Sequence, residues 1–424
     1  MPPFYPARLH WLLYTLLFGL LLLLTPAASY QVDVQYWVDW ATYMHAHGLG
    51  NAYRLAQNNY NPLYQYVLFG YAELAGSSKA ITTYIHCLKA FTLLFDFGGA
   101  ILVVRYFGWG DGNQRFILSL LFLLNVGYLY NTVAWEQVDA IVSTLAFVAV
   151  VQALRQRPVG SFSWFVLALN MKTQAIILLP PLLLLWVPQW WLAPRRLVQA
   201  VGLGAAVQVL LLLPFILSGT LPLLSLVVRD AVDHYPNVSL NCYNLWVFIF
   251  DDFVALDSQL YAGLPYKSWG LLNFCLASAF ILLPLGLATL HKLRTRTTFG
   301  PADYAWVLLS LGLIPLAFCF FNTQMHERYW HPALLLLGAY AILTRRYALF
   351  GIFSLAYYLN MEAVLHYLGS FSHYPTLLFR PKLVATLFAA VLLGGTWQLY
   401  RVASPWAAWR QLRQPRRPAT AVPA

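Results

Sequence analysis

Charged residues are scarce in this chain. Only 10% of its 424 residues are charged and 60% are hydrophobic, and the mean hydropathy of +0.61 lies well above the soluble globular range. These values exclude a soluble multidomain protein, and the length instead suits about a dozen membrane spans of roughly 20 residues each. The net charge of +11 does not indicate nucleic-acid binding, because lysine and arginine sit in short loops between apolar runs.

Cysteine is also scarce, and so is internal repetition. The four cysteines, Cys87, Cys242, Cys275 and Cys319, have neither paired nor metal-type spacing. The sequence therefore predicts neither a disulfide framework nor a zinc site. No segment repeats at a fixed period, and a secondary transporter would be expected to have symmetric halves with paired polar breaks near the midplane.

The hydrophobic runs predict an all-α polytopic membrane protein with about 12 transmembrane helices. The first run, residues 10–28, is too long for a signal-peptide core and lacks a strongly basic lead, so we interpret it as a retained span. The fifth and sixth runs can form one broken element around Lys172. The predicted spans are residues 9–29, 83–104, 116–132, 138–154, 161–173, 174–191, 197–217, 266–290, 303–321, 329–343, 347–367 and 382–400.

The distribution of charge predicts the orientation of these spans. If the N-terminus is inside, most of the 26 lysine and arginine residues fall in the inner loops and the C-terminal tail. Only two acids, Asp111 and Asp303, share that side. The remaining carboxylates fall on the outer face or within the membrane, where charge is costly and usually marks function. The pattern also supports the span count, since one missed helix would scramble it.

Residues 1–400 are predicted to form a single transmembrane domain with two long outer segments. The first, residues 30–79, has the mixed polar and apolar character of short amphipathic helices, followed by a turn at Tyr60-Asn61-Pro62-Leu63-Tyr64. The second, residues 218–265, contains five aspartates and an apolar stretch, residues 243–250, too short to cross a membrane. Long structured loops on one face are usually functional. The basic tail, residues 401–424, is predicted to be disordered and to contact anionic lipid.

Three carboxylates at the outer ends of spans are candidates for proton transfer. Asp33 follows the first span by a few residues and is either a functional base or an ordinary interface carboxylate. Glu136 and Asp139 open the fourth span at positions i and i+3, so we expect them to share one helix face. Their alternative role is helix capping, because negative charge is favoured at a helix N-terminus.

Cations near the same face are candidates for holding a phosphate. Lys172, in a polar knot between two apolar runs, must snorkel, pair with a carboxylate or meet a phosphate. The polar cluster at residues 322–329 contains His326, Glu327 and Arg328. Arginine can fork onto phosphate, but the cluster can also be an internal Glu327–Arg328 ion pair or a plain polar loop. Carboxylates beside such cations suit attack on a phosphate-linked carbon.

Two other groups remain open in function. His45 and His47 can ligate metal, but surface histidines without a third partner are more often simply polar. The segment Asn241-Cys242-Tyr243-Asn244-Leu245-Trp246 is either an aromatic interface anchor or part of a pocket wall. The sequence does not decide between these alternatives.

With these motifs, the chain resembles the GT-C glycosyltransferases, membrane enzymes that take a sugar from a polyprenyl-phosphate carrier. It is most similar to bacterial relatives of the second mannosyltransferase of GPI-anchor assembly, and more distantly to the dolichyl-phosphate-glucose glucosyltransferases of N-glycan synthesis. The resemblance extends from about residue 30 to about 335. The matching motifs are Asp33 with Trp40-Ala41, residues 59–64, Trp135-Glu136-Gln137-Val138-Asp139-Ala140, Met171-Lys172-Thr173-Gln174, residues 241–246 and Gln324-Met325-His326-Glu327-Arg328-Tyr329.

The resemblance implies roles for individual residues. It implies that Asp33 is the catalytic base. Glu136, which the family's usual pattern lacks, and Asp139 are candidates for supporting carboxylates. The resemblance also implies that a second set of residues in the matching motifs binds the lipid phosphate or substrate. This second set comprises Lys172, Gln174, His326, Arg328, Asn244 and Trp246.

The implied reaction is transfer of a hexose, mannose by analogy, to an acceptor hydroxyl with inversion of configuration. The enzyme would lie in a bacterial inner membrane with both termini cytoplasmic and would contact membrane lipids. The acceptor can be a lipid, a glycan or a protein. No cofactor is expected, although Asp33 with Glu136 or Asp139 could bind a divalent metal if they meet in space. A single site requires Asp33 to lie within about 10 Å of Arg328 or Lys172.

Two other functions are compatible with the sequence. A polymerase or ligase of lipid-linked polysaccharide would also act on the outer face. A secondary transporter or flippase is the alternative outside enzymes, but the polar residues crowd the outer rim and not the midplane of paired helices.

Overall fold

The computed structural model describes residues 7–24, 31–230, 235–251, 255–367 and 379–413, and about four fifths of these residues are helical. The first α-helices are α1 (Ala7–Leu24), α2 (Gln31–His47), α3 (Pro62–Ala75), α4 (Ser78–Thr83), α5 (Leu88–Phe107), α6 (Gly112–Leu123), α7 (Val126–Val133), α8 (Asp139–Leu154) and α9 (Pro158–Met171). The remaining ones are α10 (Leu179–Leu192), α11 (Pro194–Leu217), α12 (Leu221–Asp230), α13 (Tyr266–Thr295), α14 (Tyr304–Phe321), α15 (Pro332–Thr344), α16 (Ala348–Tyr367), α17 (Pro381–Ala403) and α18 (Pro405–Arg413).

Short elements connect these helices. The 3₁₀ helices are Leu49–Arg54, Ile85–Cys87, Thr173–Leu178, Leu245–Phe248 and Pro301–Asp303. Strands β1 (Leu260–Tyr261) and β2 (Leu264–Pro265) pair antiparallel, with Leu260 opposite Pro265. The hairpin leads directly into α13.

Seven helices in the described chain are long and apolar enough to cross a membrane, or eight if α6 and α7, bent by 58° at their junction, form one span. Each lies where the sequence predicts a span. Shorter apolar helices, α1, α8, α9 and α15, occupy other predicted positions. The chain is therefore an all-α membrane protein, and the full count of about 12 spans remains a prediction.

The packing separates central helices from peripheral ones. In the most apolar window of α14, 78% of the residues are buried, whereas the corresponding fraction in α11 and in α13 is 17%. The outward apolar side chains of these two helices include Val198, Leu210 and Leu276, each more than half exposed. Continuous apolar faces of this kind are rare on soluble proteins and suit contact with lipid tails.

The outer segments differ from the sequence prediction in two details. Helices fill most of residues 31–83, as expected, but Pro62 begins α3 instead of lying in a turn, because proline suits the first position of a helix. The prediction that the basic tail is disordered is wrong for Pro405–Arg413, because these residues form α18, which packs against α13. Arg294 donates to the carbonyl of Leu412 and so joins the two helices. Residues 414–424 lie outside the described residues.

A candidate active site in a polar cavity

A cavity of about 1050 Å³ opens where α2, the segment at residues 55–61, the 3₁₀ helix at 173–178 and the loop at 322–329 meet. Its lining includes five residues that the sequence singles out: Asp33, Lys172, Gln174, His326 and Arg328. These residues are distant in sequence, so the fold assembles one site from several segments. The volume matches that of pockets for small molecules or for the head of a larger substrate.

Asp33 lies in the first turn of α2, where a carboxylate is favoured by the helix N-terminus. Its Oδ2 accepts a hydrogen bond of 2.6 Å from Gln137 Nε2 and lies 3.7 Å from Arg328 Nη1. The second distance meets the requirement of 10 Å for a single site. Among the described residues, no side chain bonds Asp33 Oδ1, so that oxygen is available to accept a proton.

Arg328 lies between two carboxylates. Besides its contact with Asp33, its Nη1 lies 3.3 Å from Glu327 Oε1. The internal Glu327–Arg328 pair that the sequence allows is therefore present, together with a contact to Asp33 from a distant part of the same chain. Burial disfavours the guanidinium charge, but Asp33 and Glu327 outweigh it and raise the pKa of Arg328, so the cation is held firmly. Its Nε has no partner within the described structure.

Glu327 is buried and borders the cavity. Burial raises the pKa of its carboxyl from 4.5 to about 7, although Arg328 acts in the opposite direction. Near neutral pH the carboxyl therefore holds a proton for much of the time. Its neighbour His326 has Nδ1 at 3.9 Å from Glu327 Oε2 and packs edge-on against the rings of Tyr235 and Tyr329.

Lys172 directly follows the last residue of α9, and its backbone is extended there. Its Nζ lies 2.5 Å from Asp139 Oδ1 and 5.5 Å from the centre of the Tyr60 ring. Of the three alternatives from the sequence, pairing with a carboxylate is the one present. Asp139 is buried behind Lys172, and its Oδ2 accepts from Asn131. Asp139 thus supports the cation from behind and does not line the cavity.

Tyr60 and Gln137 join the two sides of the site, and the sequence does not single them out as functional. Tyr60 donates from its hydroxyl to Gln137 Oε1 at 3.4 Å, and Gln137 donates in turn to Asp33. Burial raises the pKa of the Tyr60 phenol, so it remains a donor. The only sequence feature that points to a role for Gln137 is the polar composition of the motif around it.

Contacts with the second outer segment fix the loop that carries Arg328. Asp257 Oδ2 accepts from Thr323 Oγ1 and from Gln324 Nε2, each at 2.8 Å. The backbone of Leu240 donates to Met325 at 2.9 Å, and the Gln324 backbone donates to the carbonyl of Asn237 at 3.1 Å. The second outer segment therefore acts as a frame for residues 322–329.

The prediction that Glu136 shares a helix face with Asp139 is wrong. Helix α8 begins at Asp139, and Glu136 lies before it with a left-handed backbone, φ 59°, so the two carboxylates do not share a helix face. Glu136 Oε2 instead pairs with His86 Nδ1 at 2.7 Å and with Lys89 Nζ at 3.3 Å. It is buried and absent from the cavity lining, so it anchors the loop before α8.

Asn244 and Trp246 also lie behind the cavity wall instead of in it. Asn244 Nδ2 donates to the carbonyls of Cys319 and Asn322, and Trp246 Nε1 donates to that of Phe321. Both side chains are buried, and they tie the 3₁₀ helix at 245–248 to the end of α14. Of the two alternatives for this motif, part of a wall is the closer description.

His45 and His47, in the last turn of α2, have different partners. His45 Nδ1 lies 3.1 Å from Glu73 Oε1, and His47 Nδ1 is bonded to the carbonyl of Tyr43. In the described ranges, no group of three or more His, Cys, Asp or Glu residues could hold a metal ion.

The cavity therefore has a carboxylate with one oxygen that no described side chain bonds, beside a fixed arginine, and its lining also includes a lysine and a tyrosine. This arrangement can accept a proton from a hydroxyl and stabilise negative charge on a departing oxyanion. No protein-family model matches the chain, and no curated protein matches it significantly.

Proposed function

We propose that the chain is a GT-C-like glycosyltransferase that moves a hexose from a polyprenyl-phosphate carrier to an acceptor hydroxyl. The observation that carries the proposal is the 3.7 Å separation of the Asp33 carboxylate and the Arg328 guanidinium in one cavity. A base and a cation this close can bracket an anomeric carbon and the phosphate attached to it. Mannose is the first sugar to test, by analogy with the family that the motifs resemble.

The proposed reaction is one displacement. The acceptor hydroxyl gives its proton to Asp33 Oδ1 as its oxygen attacks the anomeric carbon of the sugar. The bond between that carbon and the phosphate oxygen breaks, and its electron pair leaves with the polyprenyl phosphate. Arg328 holds the negative charge that develops on the phosphate, and Lys172 adds a second cation across the cavity. Attack from the face opposite the leaving group inverts the configuration.

The rim of the cavity supports a lipid-linked donor. Apolar side chains from three elements border it: Ile176 from the 3₁₀ helix, Leu223 and Leu226 from α12, and Leu271 from α13. Each of these side chains is more than a third exposed, so an isoprenoid chain can pack on them. A soluble nucleotide sugar would gain nothing from such a rim.

The proposed location is a bacterial inner membrane, with both termini cytoplasmic and the cavity on the outer face. Helix α8 supports this orientation because it begins at Asp139, behind the cavity, and ends next to Arg155. Basic residues at the far end of the bundle mark the cytoplasmic side by the positive-inside rule.

A donor panel tests the proposal. Membranes containing the protein are supplied with labelled polyprenyl-phosphate mannose, polyprenyl-phosphate glucose, a nucleotide sugar or an oligosaccharide on a polyprenyl diphosphate. We expect label in the acceptor fraction only from a polyprenyl-monophosphate sugar. Transfer only from the diphosphate-linked oligosaccharide would instead indicate a polymerase or ligase. Absence of transfer from either monophosphate sugar, with acceptor membranes present, would contradict the proposal.

A further inference from the structure

A second pocket lies at the end of the bundle remote from the cavity. Helix α8 has 16 residues and therefore separates Asp139 from this end by about 24 Å. The pocket has a volume of about 490 Å³ and lies between the end of α5, the start of α6 and the end of α8. We call it the arginine pocket, after the three arginines that line it: Arg105, Arg115 and Arg155.

The three guanidinium groups converge from different elements. Arg105 lies in the last turn of α5, Arg155 follows the last residue of α8, and Arg115 lies in the first turn of α6. Arg105 and Arg155 both approach the ring of Tyr106, at 5.9 and 5.0 Å from its centre. Two like charges therefore lie within 6 Å of the centre of one ring, and a bound anion would relieve their repulsion.

No carboxylate lines the arginine pocket, and the acids of the same end are engaged elsewhere in the described structure. Asp303 lies 3.0 Å from Lys292 Nζ, and Asp111 caps α6 by accepting from the Gln114 backbone at 2.9 Å. None of the three arginines forms a salt bridge with a described residue. The pocket thus carries a concentrated positive charge without an internal counter-ion.

Helix ends explain only part of this charge. Arg105 and Arg155 stand at helix C-termini, where a cation is favoured. Arg115 stands at a helix N-terminus, where the backbone N–H groups already attract anions and a cation gains nothing from the helix.

We propose that the arginine pocket binds a phosphate group, with the guanidinium forks of Arg105, Arg115 and Arg155 as donors. Planar guanidinium groups suit phosphate oxygens, and basic pockets between membrane helices are typical sites for anionic lipid head groups. The phosphate can come from the head group of a membrane lipid or from free phosphate. This site is independent of the proposed sugar transfer, which takes place at the other end of α8.

The test compares lipid retention by the purified full-length protein in a neutral detergent. Native mass spectrometry records binding of phosphatidylglycerol, phosphatidylcholine and inorganic phosphate to wild type, to R105Q/R155Q and to R195Q/R401Q. Arg195 and Arg401 are exposed arginines outside the pocket and serve as the matched control. We expect R105Q/R155Q to bind phosphatidylglycerol about tenfold or more weakly than wild type, and the control variant to stay within about twofold.

Comparing phosphatidylglycerol with inorganic phosphate also distinguishes the source of the phosphate group. Retention of phosphatidylglycerol without binding of inorganic phosphate assigns the site to a lipid head group, and binding of both assigns it to the phosphate alone. If R105Q/R155Q does not fold, R115Q is the second variant, since it changes one exposed residue at a helix start; we expect binding about threefold or more weaker. Undiminished binding of phosphatidylglycerol by whichever variant folds would overturn the proposal.

Discussion

Gln137 Nε2 donates a 2.6 Å hydrogen bond to Asp33 Oδ2, while Gln137 Oε1 accepts from Tyr60. Gln137 thus orients the carboxylate so that Oδ2 is engaged and Oδ1 faces no described partner. In the proposed reaction Gln137 is a positioning residue, because it acts on the substrate only through Asp33. Its role is separable from that of the base itself.

Replacing Gln137 with alanine is expected to lower kcat for sugar transfer by about ten- to a hundredfold with little change in the donor KM, since a misplaced base affects the transition state. Steady-state transfer kinetics give the two parameters. Gln189→Ala is the matched control, because Gln189 is equally buried but donates to Ala153 and Leu185 away from the cavity. Equal losses of kcat in both variants would indicate a general packing defect and contradict the positioning role.

The pair formed by Lys172 and Asp139 predicts a different result for single and double variants. Lys172→Ala leaves the buried Asp139 carboxylate without its cation and is expected to destabilise the fold by about 3–5 kcal/mol. Adding Asp139→Asn removes the stranded charge and should restore most of the stability. Thermal unfolding in detergent measures both effects.

Activity separates the two roles of Lys172. If its cation also holds the donor phosphate, K172A/D139N regains stability but retains a raised donor KM. Recovery of both stability and wild-type kinetics in the double variant would mean that Lys172 serves only to neutralise Asp139.

Glu327 makes stability depend on pH. Burial raises its pKa from 4.5 to about 7, so between these values the folded protein keeps a proton that the unfolded chain releases. The free energy of unfolding therefore falls as pH rises from about 4.5 to 7, by on the order of 3 kcal/mol, and then levels off. Glu327→Gln removes this contribution.

Unfolding temperatures measured from pH 5 to 8 test the effect in the difference between variants. The wild type is expected to lose more stability than E327Q across this range, because the other titrating groups are common to both. Parallel curves for the two proteins would show that Glu327 titrates normally in the folded state.

Glu136 is expected to matter for stability and little for chemistry. Glu136→Gln leaves the buried Lys89 without its carboxylate and should cost about 3–5 kcal/mol of stability. At a temperature where the variant is folded, transfer should stay within about threefold of wild type, because Glu136 does not line the cavity. A transfer rate lower by a hundredfold or more in the folded variant would indicate that Glu136 takes part in catalysis.

The sequence predicts the positions of the helices well, because long apolar runs in lipid have few alternatives to helix. It also predicts that Asp33, Lys172 and Arg328 converge, since charge at the ends of spans is costly without a function. It misplaces Glu136, whose left-handed backbone breaks the helical spacing before Asp139. In that conformation Glu136 contacts His86 and Lys89, which lie about 50 residues earlier in the chain, so the local sequence gives no signal for these contacts.

Contacts between residues distant in sequence also explain the other errors in the predicted site. The motif groups Asn244 and Trp246 with the binding residues, but their partners are backbone carbonyls at 319–322. The sequence does not single out Gln137, because an uncharged amide among carboxylates gives no electrostatic signal. Whether a polar side chain faces a cavity or the wall behind it is decided by tertiary packing.

The most direct measurement of the central claim is the rate of sugar transfer by Asp33→Asn, with Asp39→Asn as the control. Both aspartates lie on α2, but Asp39 is exposed, accepts from Gln35 at 2.8 Å and does not line the cavity. With a polyprenyl-phosphate sugar as donor, D33N should transfer about 10²–10⁴-fold more slowly than wild type, and D39N within about twofold. Transfer by folded D33N at the wild-type rate would contradict the assignment of Asp33 as the base.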